Sequence, residues 1–182
     1  VATTTGFLSP GLSAHVCNQL RLPPTVQRLD VVGMGCHAGL NAMAAAAHWA
    51  EAHPGRPALM FCCEVVSAAY AWDSTASPPD IAVALTNSLF GDGSAAAVLL
   101  CPSPDRPVES AWPRMPRPAL YGFESLLLPD SESSLCYTWL DAPSKFSFTI
   151  SPQVPYLMGL HIPGMVQRLL SRHRLKNEDV NH

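Results

Sequence analysis

Apolar positions along the chain fall into two kinds of run. Val26 to Val32 and Pro57 to Val66 are short and nearly continuous. They predict strands, the second covered on both faces as in a parallel sheet and broken only by Glu64. Leu40 to His53 is alanine-rich and has Glu51 as its only acidic or basic charge, which predicts a helix buried on nearly all sides. Pro54-Gly55 ends that helix. Residues 26–66 therefore predict a β-α-β unit. Before it, residues 7–21 predict a loop feeding a short amphipathic helix that ends near Leu20. After it, Ser67 to Asn87, with Trp72, Asp73 and the Pro78-Pro79 break, predicts a loop and short helix. Gly91-Asp92-Gly93 predicts a tight turn ahead of a strand reaching Leu100. Farther on, Ala119 to Leu128 and Lys145 to Ile150 predict strands. Val154 to His173 predicts a helical region interrupted at Pro163. Leu175 to His182 resembles the approach to a further strand.

Composition adds a boundary and removes several function classes. Six of the eighteen prolines lie between Pro102 and Pro118, which marks residues 102–118 as a linker between two element sets. At 182 residues, 48% hydrophobic and 14% charged, the chain is globular and low in charge for a fully solvated surface. A net charge of −3 and scattered arginines (Arg21, Arg28, Arg56 and Arg106 among them) give no basic stripe, so no nucleic-acid partner is expected. No apolar run approaches the roughly 20 residues of a membrane helix. Val1 to Thr5 carries no basic leader, so no secretory signal is expected. The six cysteines, at 17, 36, 62, 63, 101 and 136, form no C-x-x-C pair. No metal site is expected, and a reducing, cytoplasmic compartment fits best.

Candidate chemistry concentrates in Gly33-Met34-Gly35-Cys36-His37-Ala38-Gly39, at the junction of the first predicted strand and the alanine-rich helix. The free N–H groups of a first helical turn and the helix dipole both favour negative charge there. Thiols so placed have pKa values lowered to roughly 3.5–7.5 and act as nucleophiles. The local motif alone fits a small core cysteine between packing glycines equally well. His37 adjoins Cys36, but neighbouring residues at a helix start point in different directions, so it is not assigned as the base.

Four segments then occur in order: Thr3-Thr4-Thr5-Gly6, Gly35-Cys36-His37-Ala38-Gly39, Cys63-Glu64 and Leu89-Phe90-Gly91-Asp92-Gly93. Their spacing resembles the central part of a type III polyketide synthase, the chalcone and stilbene synthase family of the thiolase superfamily. The resemblance is strongest from Thr3 to Leu100 and continues in register from Ala119 to His182. Gly33 to Ala42, Ser67-Ala68-Ala69-Tyr70 and Asn87-Ser88-Leu89 most resemble the bacterial branch that makes 3,5-dihydroxyphenylacetyl-CoA from malonyl-CoA.

The resemblance implies an α/β, thiolase-like layered αβαβα fold, present in part. Residues 1–101 would belong to the N-terminal half, 102–118 to the linker and 119–182 to the start of the C-terminal half. It implies that Cys36 is the nucleophile carrying starter and growing chain as a thioester. Phe90 matches the gatekeeping phenylalanine between CoA tunnel and reaction cavity, and Phe148 a second cavity phenylalanine. Thr5, Val66 and Ala69 match cavity-lining positions, although core packing would also account for them. Ser9 matches a position that reaches the partner subunit, implying a homodimer. Malonyl-CoA and an acyl-CoA starter are the implied substrates, with no metal or organic cofactor.

The family also uses a histidine and an asparagine on His-Pro-Gly-like and Asn-Met-Ser-like motifs. Neither motif occurs in these 182 residues. Asp179 to His182 resembles the lead-in to the first, which makes His182 a poor candidate for the catalytic histidine. The chain alone is therefore expected to be inactive. Two other readings stay open: a β-ketoacyl-acyl-carrier-protein synthase III, which shares fold and nucleophile, and a truncated, non-catalytic interaction piece.

Overall fold

The structure is a computed structural model that describes residues 1–6, 8–69, 88–105, 118–139 and 146–180. Its backbone divides into two compact units, Val1–Pro118 and Ala119–His182. The predicted loop and helix of Ser67–Asn87 lie outside the described residues beyond position 69, as do residues 106–117 of the linker.

The first unit contains α1 (Leu12–Gln19), a 3-10 turn (Gly35–His37) running into α2 (Ala38–Ala52), β1 (Ala58–Glu64), a second 3-10 turn (Val66–Ala69) and β2 (Gly93–Leu99). β1 and β2 pair antiparallel, from Ala58 opposite Leu99 to Glu64 opposite Gly93. On the other side of β1 the sheet continues through Ala2, which bridges in parallel to both Cys62 and Val31. The Ala2 amide donates to Phe61 O at 2.8 Å and the Cys63 amide to Ala2 O at 3.1 Å. The Val31 amide donates to Val1 O at 2.8 Å and the Thr3 amide to Val31 O at 3.2 Å. The order across the sheet is thus Val31, Ala2, β1, β2.

This arrangement corrects two expectations. Val26–Val32 forms a single bridge at Val31 rather than a strand. Its polar positions are engaged sideways, Asp30 with Ser13 and Arg28 with the Ser13 hydroxyl at 3.2 Å. The two parallel segments of the β-α-β unit are also not neighbours, because Val1–Thr3 lies between them.

The core of this unit is built from small side chains. Ala2, Ala38, Ala42, Ala47, Ala50, Met60 and Leu99 are buried. At 3.6 residues per turn the four buried alanines of α2 cover about half its circumference. They let the helix lie close on β1, and a Cβ placed on Gly39 would sit 3.4 Å from the Cys62 sulfur. The opposite side is uncovered, with Leu40 63% exposed. In this chain α2 is half-buried rather than enclosed. It ends at His53, which leaves the helical backbone at φ −134°, ahead of Pro54 and Gly55; the Gly55 amide donates to Cys101 O at 2.8 Å. β1 likewise has one covered face, with Met60 buried and Leu59 exposed.

The second unit contains β3 (Leu135–Trp139) paired antiparallel with β4 (Phe146–Ile150), then α3 (Val154–Arg172). β4 lies where a strand was predicted; β3 was not foreseen. α3 runs unbroken through Pro163, against the predicted interruption. Four residues earlier, where a proline ring crowds the helical carbonyl, stands Gly159, whose backbone can yield. Residues 119–128 form no strand. Among the described residues, side chains hold this segment to α3: Glu124 accepts from Arg168 Nε at 2.9 Å and pairs with Arg172 Nη2 at 2.8 Å.

Candidate active site

Val31, Ala2 and Cys62 run parallel, so the segments following them emerge at the same end of the sheet. β2 runs the other way, so the residues preceding it lie at that end too. This topology places four segments at one sheet edge: the Cys36 turn, Thr3–Thr5, Glu64–Val66 and Phe90–Asp92.

Cys36 is exposed, in the middle of the 3-10 turn that leads into α2. Gly33 and Gly35 flank it at φ +72° and +70°, a left-handed backbone that a Cβ would strain. A Cβ at either position would meet nothing within 4 Å, so the requirement is conformational and not one of space. Neither the 3-10 turn nor α2 has a side-chain cap. The Ala38 amide donates to Gly35 O, so it is the amides ahead of Ala38 that can favour negative charge at the thiol or at an oxygen bound beside it. Asn41 Nδ2 donates to His37 O at 3.0 Å and stiffens the turn. Among the described residues the His37 ring makes no hydrogen bond with Cys36.

Beside this turn the Glu64 carboxylate gathers the threonine run. Oε1 accepts from the Thr4 amide at 2.7 Å. Oε2 accepts from the Thr4 hydroxyl at 2.9 Å, the Thr5 amide at 3.1 Å and the Thr5 hydroxyl at 2.9 Å. The Thr5 hydroxyl in turn accepts from the Val65 amide at 2.9 Å. Four donors on one half-buried carboxylate make a charge-assisted knot between the middle and neighbouring strands. It leaves the Thr5 hydroxyl fully engaged. Neither Thr4 nor Glu64 was assigned a role from sequence. The usable signal was a single carboxylate ending an apolar strand, which needs donors close by.

Across β1, Asp92 makes a second clasp. Its Oδ1 accepts from the Ser67 amide at 2.8 Å and its Oδ2 from the Ser67 hydroxyl at 2.6 Å. The Ser67 hydroxyl, then its amide, hold the carboxyl below the ordinary aspartate value, against a smaller opposing effect of desolvation.

Of the residues singled out from sequence, Cys36, Thr5, Val66 and Phe90 are thus on segments that meet at one sheet edge. Val66 and Phe90 are half-buried. Ala69 ends the turn that begins at Val66. Ser9 is exposed just ahead of α1, whose first turn is held by the Ser13 amide donating to Asp30 Oδ1 at 3.0 Å. Phe148 lies in the second unit, on β4 opposite Tyr137. Among the described residues no cluster of three or more His, Cys, Asp or Glu is arranged to hold a metal, and no helix is long and apolar enough to cross a membrane.

Residues 1–104 match the family model for the N-terminal domain of chalcone and stilbene synthases. The chain belongs to the chalcone and stilbene synthase family. It is 42% identical over 181 residues to a 3,5-dihydroxyphenylacetyl-CoA synthase of Streptomyces toyocaensis, covering 99% of this chain and 44% of that protein. A protein of the same description from Amycolatopsis balhimycina is 42% identical over 180 residues, covering 99% and 45%. Among solved structures, the 1,3,6,8-tetrahydroxynaphthalene synthase of Streptomyces coelicolor, a bacterial type III polyketide synthase, is similar with a TM-score of 0.77 at 26% identity. That similarity covers 99% of this chain and 47% of the other. PKS-I of the brown alga Ectocarpus siliculosus gives a TM-score of 0.78 at 26% identity, covering 99% and 44%. The fold is therefore the α/β thiolase-like fold of the type III polyketide synthases. The chain spans about half the length of the curated relatives it matches.

Proposed function

We propose that the complete protein is an acyltransferase of the type III polyketide synthase kind. On this reading Cys36 takes an acyl group from a CoA thioester: the thiolate forms a new S–C bond as CoA leaves. Malonyl-CoA then loses CO₂, and the resulting enolate attacks the Cys36 thioester, making a C–C bond as the Cys36 S–C bond breaks. Repetition and ring closure give an aromatic polyketide. The relatives described as 3,5-dihydroxyphenylacetyl-CoA synthases support that compound as the product. The observation that carries the proposal is an exposed cysteine at an uncapped helix start, on the sheet edge where Thr5, Val66 and Phe90 also emerge.

Residues 1–101 would then belong to the N-terminal half, 102–118 to a linker and 119–182 to the C-terminal half. The division of the backbone at Pro118 supports this. Phe90 would guard the CoA tunnel. Thr5, Val66, Ala69 and Phe148 would shape the cavity, and Ser9 would lie at a homodimer contact. The protein would work in the cytoplasm on CoA thioesters. Without the family's His and Asn motifs, the isolated 182-residue chain should not condense malonyl-CoA.

Radiolabelled malonyl-CoA with the complete protein tests the proposal. Acyl label should appear on the protein and disappear in Cys36→Ala. Absent label, or label that survives the substitution, overturns it.

A further inference from the structure

Three carboxylates fasten loops in the first unit. Asp30 holds the start of α1, and Glu64 ties the end of β1 to Thr4 and Thr5. Asp92, like Glu64 and unlike Asp30, bears on the candidate site. It joins two segments 25 positions apart, each carrying a residue read above as part of the reaction cavity. The β1–β2 ladder ends at Glu64 opposite Gly93. Beyond that pair, Ser67 donates both its amide and its hydroxyl to Asp92 across the two departing chains.

We propose that Asp92 is a positioning residue that sets the cavity wall by clasping the turn Val66–Ala69 through Ser67. The inference rests on the reading of Val66, Ala69 and Phe90 as cavity residues. Its physical basis is the geometry of the turn. In a 3-10 turn, at three residues per turn, neighbouring positions fall on different faces, so Val66 and Ser67 look different ways. One carboxylate that takes both the amide and the hydroxyl of Ser67 fixes the turn in translation and in rotation. The direction of Val66 is thereby set from outside its own face. Phe90, two residues before Asp92, is anchored by the same clasp on the opposite chain. A wall held in this way determines how long a chain the cavity admits before release.

The test uses the complete protein with malonyl-CoA and reads the ratio of shorter released chains to the full-length product. A mere loss of folded enzyme lowers all products together and leaves that ratio unmoved. Asp92→Ala should raise the ratio about tenfold, the scale on which small misplacements act. Ser67→Ala keeps the amide bond and should give a smaller rise. Ser67→Thr keeps both donors and should restore the parent ratio. The double variant Asp92→Ala with Ser67→Ala should equal Asp92→Ala alone, because both remove one contact. If Asp92→Ala does not fold, Ser67→Ala and Ser67→Thr carry the test. An active parent whose ratio is unchanged in both alanine variants overturns this inference and leaves the proposed function standing. A parent that makes no polyketide overturns the function, and this inference with it.

Discussion

The two units tie distant segments together by different means. In the first, short carboxylates accept from main-chain amides and hydroxyls: Glu64 from Thr4 and Thr5, Asp92 from Ser67, Asp30 from Ser13. In the second, Glu124 is gripped by the long side chains of Arg168 and Arg172. The first kind fixes backbone within hydrogen-bond length. The second kind fixes side chains whose own stems remain free, and surface pairs of that sort contribute little. Burial follows the same division. The first unit buries a patch of alanines with Met60 and Leu99, while Leu170 is the buried hydrophobic residue of the second among those described. On α3, Tyr156, Met158, Leu160, Ile162 and Val166 are all exposed. Precision of backbone placement is what a reacting centre needs, and the Cys36 turn is found in the unit that has it.

The largest expected effect is at Cys36, the proposed nucleophile. Cys36→Ala in the complete protein should lower product formation by about a thousandfold or more, measured as polyketide release from malonyl-CoA. Retained turnover would move the chemistry out of the first unit and break the contrast. Next comes Glu64→Ala, which leaves the donors on Thr4 and Thr5 without their acceptor. It should cost about 2 kcal/mol in denaturant unfolding, and a neutral result would put this knot on a par with a surface pair. Gly35→Ala should cost about 1 kcal/mol from the left-handed backbone alone, since nothing lies near the added Cβ. An equal cost at Gly39→Ala, where φ is not positive, would refute that explanation.

The smallest effect belongs to Glu124→Gln. The Arg168 side chain, helped by Arg172 and opposed by desolvation, holds the Glu124 carboxyl below its ordinary value of 4.5. A depressed value in the folded state means a contribution fully present above about pH 4.5 and lost as pH falls through the lowered value. The difference in urea midpoint between parent and variant should therefore be seen at pH 7 and shrink toward pH 3. A difference that grows in acid would reverse the sign of this account.

What could be read from the sequence follows the same line between the units. α2 and β1 were legible because an unbroken alanine run and an unbroken apolar run each have one good solution. The turn that carries Cys36 was legible because two glycines precede it where a left-handed backbone is required. Val1–Thr3 was not, because one bridging residue leaves no periodic signal. Residues 119–128 misled, since their alternation suggested a strand. Tyr121 and Leu127 instead face outward, and Glu124 reaches for α3. Asp92 was visible as part of a turn motif, but its partner, Ser67, could be found only by folding the chain. Continuous runs declare themselves, whereas clasps between distant residues do not.

Ala2 sits between Val31 and Cys62. A sheet whose middle segment pairs with residues 29 and 60 positions later cannot zip up from local hairpins. Each pairing must wait for a far segment, as the Thr4–Glu64 bonds do across 60 positions. Loop closure must be met before those contacts give any return, which slows the search. α2 can form on its own time, but the edge that faces Cys36 is completed only when β1 arrives beside Ala2. The surroundings of Cys36 are thus among the last parts of the first unit to fold, and slow synthesis through β1 should favour their correct assembly.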